Sequence, residues 1–230
     1  KLMSKPLSDR LSELDRSALS AEHASIAESL VSSSEPLEKD VADFLPVELQ
    51  RALELPDLRQ THRLEGPRIH SVTYVLLPGV DPATAEVALI DSEWSWWKPG
   101  KVSKWSRRED GGCSFVLSPV PMVPSKVGIE LEPQVANELP VSWGEPISVV
   151  TFAARFFADF EGPGRYEVLA LDGGCALRSC WDGVARCGLK KLMPLKMILK
   201  MHLDAEAGTA GFPFPKGTGF PGLVRMLSPA

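Results

Sequence analysis

The sequence predicts an α+β protein in which an antiparallel sheet is followed by a long closing helix. Three observations carry that expectation. An acidic, leucine-stepped stretch runs to about residue 66. The middle of the chain is a series of short β-branched and aromatic runs, each cut off by Pro, Gly or Asp-Gly-Gly. Near the end, "LKKLMPLKMILKMHLDAEAG" alternates lysines with apolar residues at helical spacing until Gly208. With 230 residues, 44% hydrophobic and 24% charged, the chain has the material for a packed core.

In the first stretch, Leu7, Leu11, Leu14, Ala18, Leu19, Ile26 and Leu30 step by mostly three or four residues, and Ser8 is available as a cap, which predicts a helix with a narrow apolar stripe. "SSSEP" interrupts it. Val41, Phe44, Leu45, Leu49 and Leu53 supply a second helical pattern, interrupted or restarted at Pro46. A helical hairpin is expected, able to dock on the domain that follows, to pair with another chain or to stay partly mobile, with docking ranked first.

After "LEGPR" the pattern changes. "IHSVTYVLL" reads as a strand ended by Pro78-Gly79. A short helix follows, with Asp81 as its cap, Pro82 at its first position and Val87, Ala88 and Ile90 on a face. "KVSKWSRRE", the turn "DGG" and "CSFVLSPV" read as a hairpin. "KVGIELEP", "PISVVTFAARFFADF", a break at "EGPG", "RYEVLAL", "DGG" and "CALRSCWDGVA" continue as an antiparallel meander. The tail from Phe212 is expected to be extended, because its prolines and glycines oppose a regular helix or central strand.

The net charge of −5 argues against a nucleic-acid partner, whose phosphates require clustered Lys and Arg. The lysine run from Gly188 to His202 reads first as a solvated helix face and second as a surface for transient membrane contact. No apolar run reaches the ~20 residues of a membrane span, and the order of a secretory signal is absent, so a soluble intracellular protein, cytoplasmic or organellar, is expected. Cys113, Cys175, Cys180 and Cys187 match no metal spacing and read as thiols in a reducing compartment. His23, His62 and His70 show no ligand spacing either, and neither a metal nor a cofactor is expected. Both "DGGC" stretches are turns, with no helix opening behind them to cradle a phosphate.

Two longer stretches carry a family likeness. "VTYVLLPGVDPATAEVALIDSEWSWWKPGKVSKW" has a strand, a helix starting at Asp-Pro, and a Trp-rich exit before the next strand. "GRYEVLALDGGCALRSCWDGV" has a late hairpin whose second strand ends in Trp and Gly. This order resembles the helix-grip superfamily of START domains, polyketide cyclases and the birch-pollen allergen (SRPBCC). The resemblance covers residues 67–207. It leaves 1–66 as a helical extension and 208–230 as a Pro/Gly/Phe-rich tail, either of which could plug or partner the cavity.

What the resemblance implies is a curved antiparallel sheet gripping a long C-terminal helix, with a mostly apolar gap between them. The expected guest is a hydrophobic small molecule: a lipid, an isoprenoid or a polyketide-like compound. Trp94 and Trp97 are three apart and could share a helical face near one end of that gap, with Trp96 at the rim. Phe152 and Phe156 share the aromatic face of their strand, leaving Arg155 outside. Leu177, Ser179 and Trp181 share a face, and with Trp181 inward Arg178 is expected in solvent.

Tyr166 could offer its hydroxyl to a ligand carbonyl. His202, three residues after Leu199 on the closing helix, is the first acid–base candidate, although a lone histidine there is more often a packing residue. Ligand contacts are therefore expected from Trp94, Trp97, Phe152, Phe156, Tyr166, Trp181, Leu199 and His202. The enzyme alternative is a cyclase, aromatase or dehydratase in which Tyr166 and His202 assist by general acid–base chemistry. A third reading is an assembly module that docks a protein partner through the N-terminal helices and the Trp corner.

Overall fold

The computed structural model describes residues 5–33, 41–91, 101–107, 109, 113–120, 123–132, 146–156, 160–185, 195–209 and 219–227. Helices α1 (Leu7–Glu13), α2 (Ala21–Ser32) and α3 (Val47–Ala52) form an N-terminal lobe. Next come β1 (Leu58–Glu65), β2 (Arg68–Pro78) and α4 (Pro82–Asp91). The meander is β3 (Lys101–Arg107), β4 (Cys113–Val120), β5 (Val123–Glu132), β6 (Pro146–Phe156), β7 (Phe160–Leu171) and β8 (Gly174–Ala185). Helices α5 (Leu195–Ala207) and α6 (Phe220–Leu227) follow.

The eight strands form one antiparallel sheet in the order β1-β2-β8-β7-β6-β5-β4-β3. Register shifts in β3, β4 and β6 mark bulges, and Lys104, inside the β3 shift, has φ +53. Each bulge adds bend and twist, which is how so wide a sheet curves. The "EGPG" stretch does not end a strand: β7 begins at Phe160 and continues through it.

Strand β1 corrects the reading of residues 1–66 as helical. "LRQTHRLE" pairs along its whole length with β2, through a two-residue turn in which Gly66 takes φ +56. Its polar character is that of an edge strand, which looks like a loop in sequence.

The lobe is built on the predicted stripe. Leu11, Ala27, Leu30, Val41, Leu45, Leu49 and Leu53 are its buried core. The first helix is nevertheless two. Leu14 is extended, Asp15 accepts from the Ser17 amide (3.0 Å) to start a 3-10 turn at Arg16–Ala18, and Ser20 caps α2 by accepting from the His23 amide (3.2 Å). Ser8, the expected cap, lies inside α1 behind Pro6.

The lobe docks on the outer face of the sheet, where Phe44 and Val47 pack with Tyr74, Leu76, Leu169, Leu171 and Ala176. Gln50 and Tyr74 exchange hydrogen bonds of 2.8 and 3.0 Å, and the Arg59 guanidinium lies 3.9 Å from the Tyr74 ring centroid while pairing with Asp43 at 2.6 Å. This docking overturns the expectation for Arg178. Trp181 is buried on its own face, at 4% exposure, but Arg178 on the opposite face is buried too, at 7%, because the lobe covers the face that alternation assigned to solvent. Arg178 lies 5.0 Å from the Phe44 ring centroid and donates to Glu167, whose other oxygen is 2.7 Å from Arg165.

A histidine clamps the lobe to the β7–β8 turn. His23, buried, sits with Nδ1 2.5 Å from Glu48 and Nε2 2.7 Å from Asp172. The Val47 amide donates to the Asp172 carbonyl at 2.9 Å. Burial works against the charged ring, but the hydrogen bonds and charges of Asp172 and Glu48 outweigh it, so the His23 pKa is raised. A raised folded-state pKa contributes stability that is complete below the unfolded value, about 6.5, and is lost as pH rises through the folded value. As pH rises from about 6.5, the urea midpoint of the wild type is expected to fall more steeply than that of His23→Gln. Parallel profiles would remove the clamp from the account.

Helix α4 starts as read, with the Thr84 amide donating to Asp81 at 3.2 Å. Its buried face is Ala85, Ala88 and Leu89, while Val87 is 54% exposed, correcting the expected face. Helix α5 stops at Gly208, which has φ +64. The tail is not wholly extended: α6 forms after Gly219 (φ +70), with Pro221 in the first turn, where a missing N–H costs no helical bond.

Candidate functional site

The inner face of the sheet is apolar toward one end and polar toward the other. Val75, Leu77, Tyr166, Val168, Cys175 and Leu177 meet α4 and α6 in one buried cluster. Two α6 side chains belong to it, Phe220 at 0% and Leu223 at 1% exposure, each worth about 1.5–3 kcal/mol of burial. Phe220 meets Tyr166 edge to face, with centroids 6.3 Å apart and planes at 86°. Burial pushes the Cys175 thiol up to about 12, so it behaves as a small apolar residue and not as a nucleophile.

The polar end centres on Glu206, which the sequence reading missed. It projects from α5, is 1% exposed, and accepts from Thr73 and, at 2.7 Å, from Ser179. Gln60 donates to Thr73 at 3.1 Å and to the Leu203 carbonyl at 3.0 Å, tying β1 to α5. Tyr166 also bonds to Ser179. Tyr166, Ser179 and Glu206 are thus joined in one buried relay, with Gln60 and Thr73 arriving from the other side.

Burial first, and the Glu206 charge second, hold the Tyr166 phenol well above its ordinary pKa. It is therefore a proton-bearing hydrogen-bond donor at neutral pH. Among the described residues, two further polar atoms on this side of the molecule are buried with no hydrogen-bond partner, the Ser71 hydroxyl and the Trp105 indole N–H. Ser71 faces Trp181 across the β2–β8 pair, and Trp105 packs on the apolar cluster.

Of the residues singled out in sequence, Tyr166, Trp181 and Leu199 are buried. The β6 register pairs Phe152 with Gly164, next to the Val150–Tyr166 pair, and Phe156 with Phe160, while the side chains of both phenylalanines lie outside the described residues. His202 is on α5 between Leu199 and Glu206, and its side chain too lies outside them. Trp94, Trp96 and Trp97 lie outside the described residues altogether. Among the described residues no three metal-ligating side chains come together, and no helix is long and apolar enough to cross a membrane.

Strand β2 pairs with the last strand, β8; α4 sits between β2 and a six-strand meander; and α5 lies on β2 through Thr73 and Glu206. The chain has the helix-grip fold. Solved structures with which it can be superposed include a START superfamily protein from Mycobacterium smegmatis, 11% identical over 73% of this chain and 100% of that one, at a TM-score of 0.42. CalU16 from Micromonospora echinospora is 12% identical over 64% of this chain and 81% of that one, at 0.36. Ara h 8.0201 is 11% identical over 65% and 91%, at 0.34. No protein-family model and no curated protein sequence matches the chain. Around this helix-grip core the additions are β1, the docked lobe and α6.

Proposed function

We propose that the protein binds a hydrophobic small molecule, a lipid, isoprenoid or polyketide-like compound, on the inner face of its helix-grip sheet, with the polar end of the guest near Tyr166. The observation that carries this reading is the contrast on that face. Val75, Leu77, Val168 and Leu177 supply an apolar wall, and one buried relay, Tyr166–Ser179–Glu206, supplies hydrogen bonding beside it. A site of mostly apolar lining with few placed polar groups is what such a guest requires.

The test is a fluorescence titration of the full chain with a fluorescent fatty acid. The expected result is saturable one-to-one binding, displaced by unlabelled fatty acid and weakened about tenfold in Tyr166→Phe, the value of one net hydrogen bond of about 1.4 kcal/mol. An absence of saturable, displaceable binding would end the proposal.

The same relay favours a second reading, a cyclase- or dehydratase-type enzyme in which Tyr166 polarises a substrate carbonyl and Glu206 steadies the donor through Ser179. Turnover of a polyketide-like substrate that vanishes in Tyr166→Phe, while binding survives, would select it.

A further inference from the structure

We infer that α6 is an in-chain occupant of the guest site, an autoinhibitory plug that must leave for the guest to enter. This rests on the binding reading above and adds a regulatory element to it. Phe220 and Leu223 do not cover the apolar wall from a distance; they are in its core, among Val75, Leu77, Val168 and Leu177, with the Phe220 ring against Tyr166. Those are the positions an apolar guest would contact.

The helix is built to be displaceable. Eight residues are too few to hold a helix in water, so α6 is ordered by docking and loses its order on leaving. Its fully buried anchors are Phe220 and Leu223, with Val224 and Leu227 partly buried on the same cluster, while Arg225 and Met226 are exposed. An open groove of 530 Å3 already runs along its flank, bounded by Leu58, Val75 and Val224 and by the charged Arg51, Asp57 and Arg225. This groove is a ready entrance beside the plug.

The plug is also chemically incomplete. Among the described residues the Trp105 indole N–H is buried against the same cluster without an acceptor, and neither a phenyl ring nor a leucine supplies one. A guest with an apolar body and one acceptor oxygen would satisfy it. The guest class is accordingly narrower than hydrocarbon: a molecule of carboxylate or carbonyl type with an apolar chain or ring system.

The test compares the wild-type chain with Phe220→Ala/Leu223→Ala, using cis-parinaric acid as the probe. Apparent affinity scales with the fraction of chains whose site is open. The double variant is expected to bind at least about tenfold more tightly than wild type. Equal or weaker binding by the folded variant overturns the plug.

Should the variant fail to fold, hydrogen exchange on the wild type decides. At saturating probe the amides of 223–227 are expected to lose protection while those of β2 and β8 keep theirs. Unchanged or increased protection of 223–227 at saturation overturns the plug and leaves the binding reading standing. No binding by either folded protein defeats both.

Discussion

Gly174→Ala is expected to lower folding stability by on the order of 3–5 kcal/mol, the range of the severest single substitutions. Gly174 has φ +154, and a Cβ there would lie 2.6 Å from the Leu77 carbonyl oxygen and 2.7 Å from the Gly79 nitrogen. Both are backbone atoms of the neighbouring β2 end. They cannot swing away as a side chain would, and the Gly79 amide is already committed to the Gly173 carbonyl at 2.9 Å. The turn is also the lobe's landing point, through Asp172 to His23 and to the Val47 amide.

Gly66→Ala is the control. It too has positive φ, +56, but nothing lies within 4 Å of its added Cβ, so only the left-handed backbone penalty of about 1–2 kcal/mol applies. Urea unfolding of the two variants should separate them clearly. Equal midpoints would mean that the close approach at Gly174 is not held in solution.

Glu167→Leu is expected to cost about 3–5 kcal/mol, because it leaves the Arg178 guanidinium buried beneath the lobe without its carboxylate. Burial opposes the Arg178 charge, and Glu167 more than compensates for it. The double variant Glu167→Leu/Arg178→Met is expected to recover much of the loss, since replacing a buried pair with apolar residues of similar size is often close to neutral. Additive losses in this cycle would show that the two side chains act separately. The pair also bears on specificity of docking, because Phe44 of the lobe lies over the same guanidinium.

The elements that local chemistry dictates were readable in the sequence. Pro78-Gly79, Asp81-Pro82 and Asp172-Gly173-Gly174 each punctuate the chain where the structure turns, and the stripe from Leu11 to Leu53 is the lobe's core. The features that depend on which surfaces meet were not. Alternation correctly separates Arg178 from Trp181, but it cannot say that a second layer covers the Arg178 face. Strand β1 is polar because it is an edge, and polarity hides it.

Glu206 gave the weakest signal of all. A carboxylate on a lysine-rich helix reads as solvated, and only the placement of Thr73 and Ser179 on the facing strands makes it the centre of a site. Its one sequence clue is a step of seven residues from Leu199, which puts it on the same stripe of α5 as that buried leucine. The helix at 220–227 was hidden by its proline, which a first turn tolerates.

The most direct measurement of the central claim is photolabelling of the full chain with a fatty acid carrying a diazirine on its chain, followed by mapping of the modified residues. One label per chain is expected, carried by Val75, Leu77, Tyr166, Val168 or Leu177 and suppressed by unlabelled fatty acid. Labels confined to the outer face around Phe44 and Val47, or scattered without competition, would contradict it.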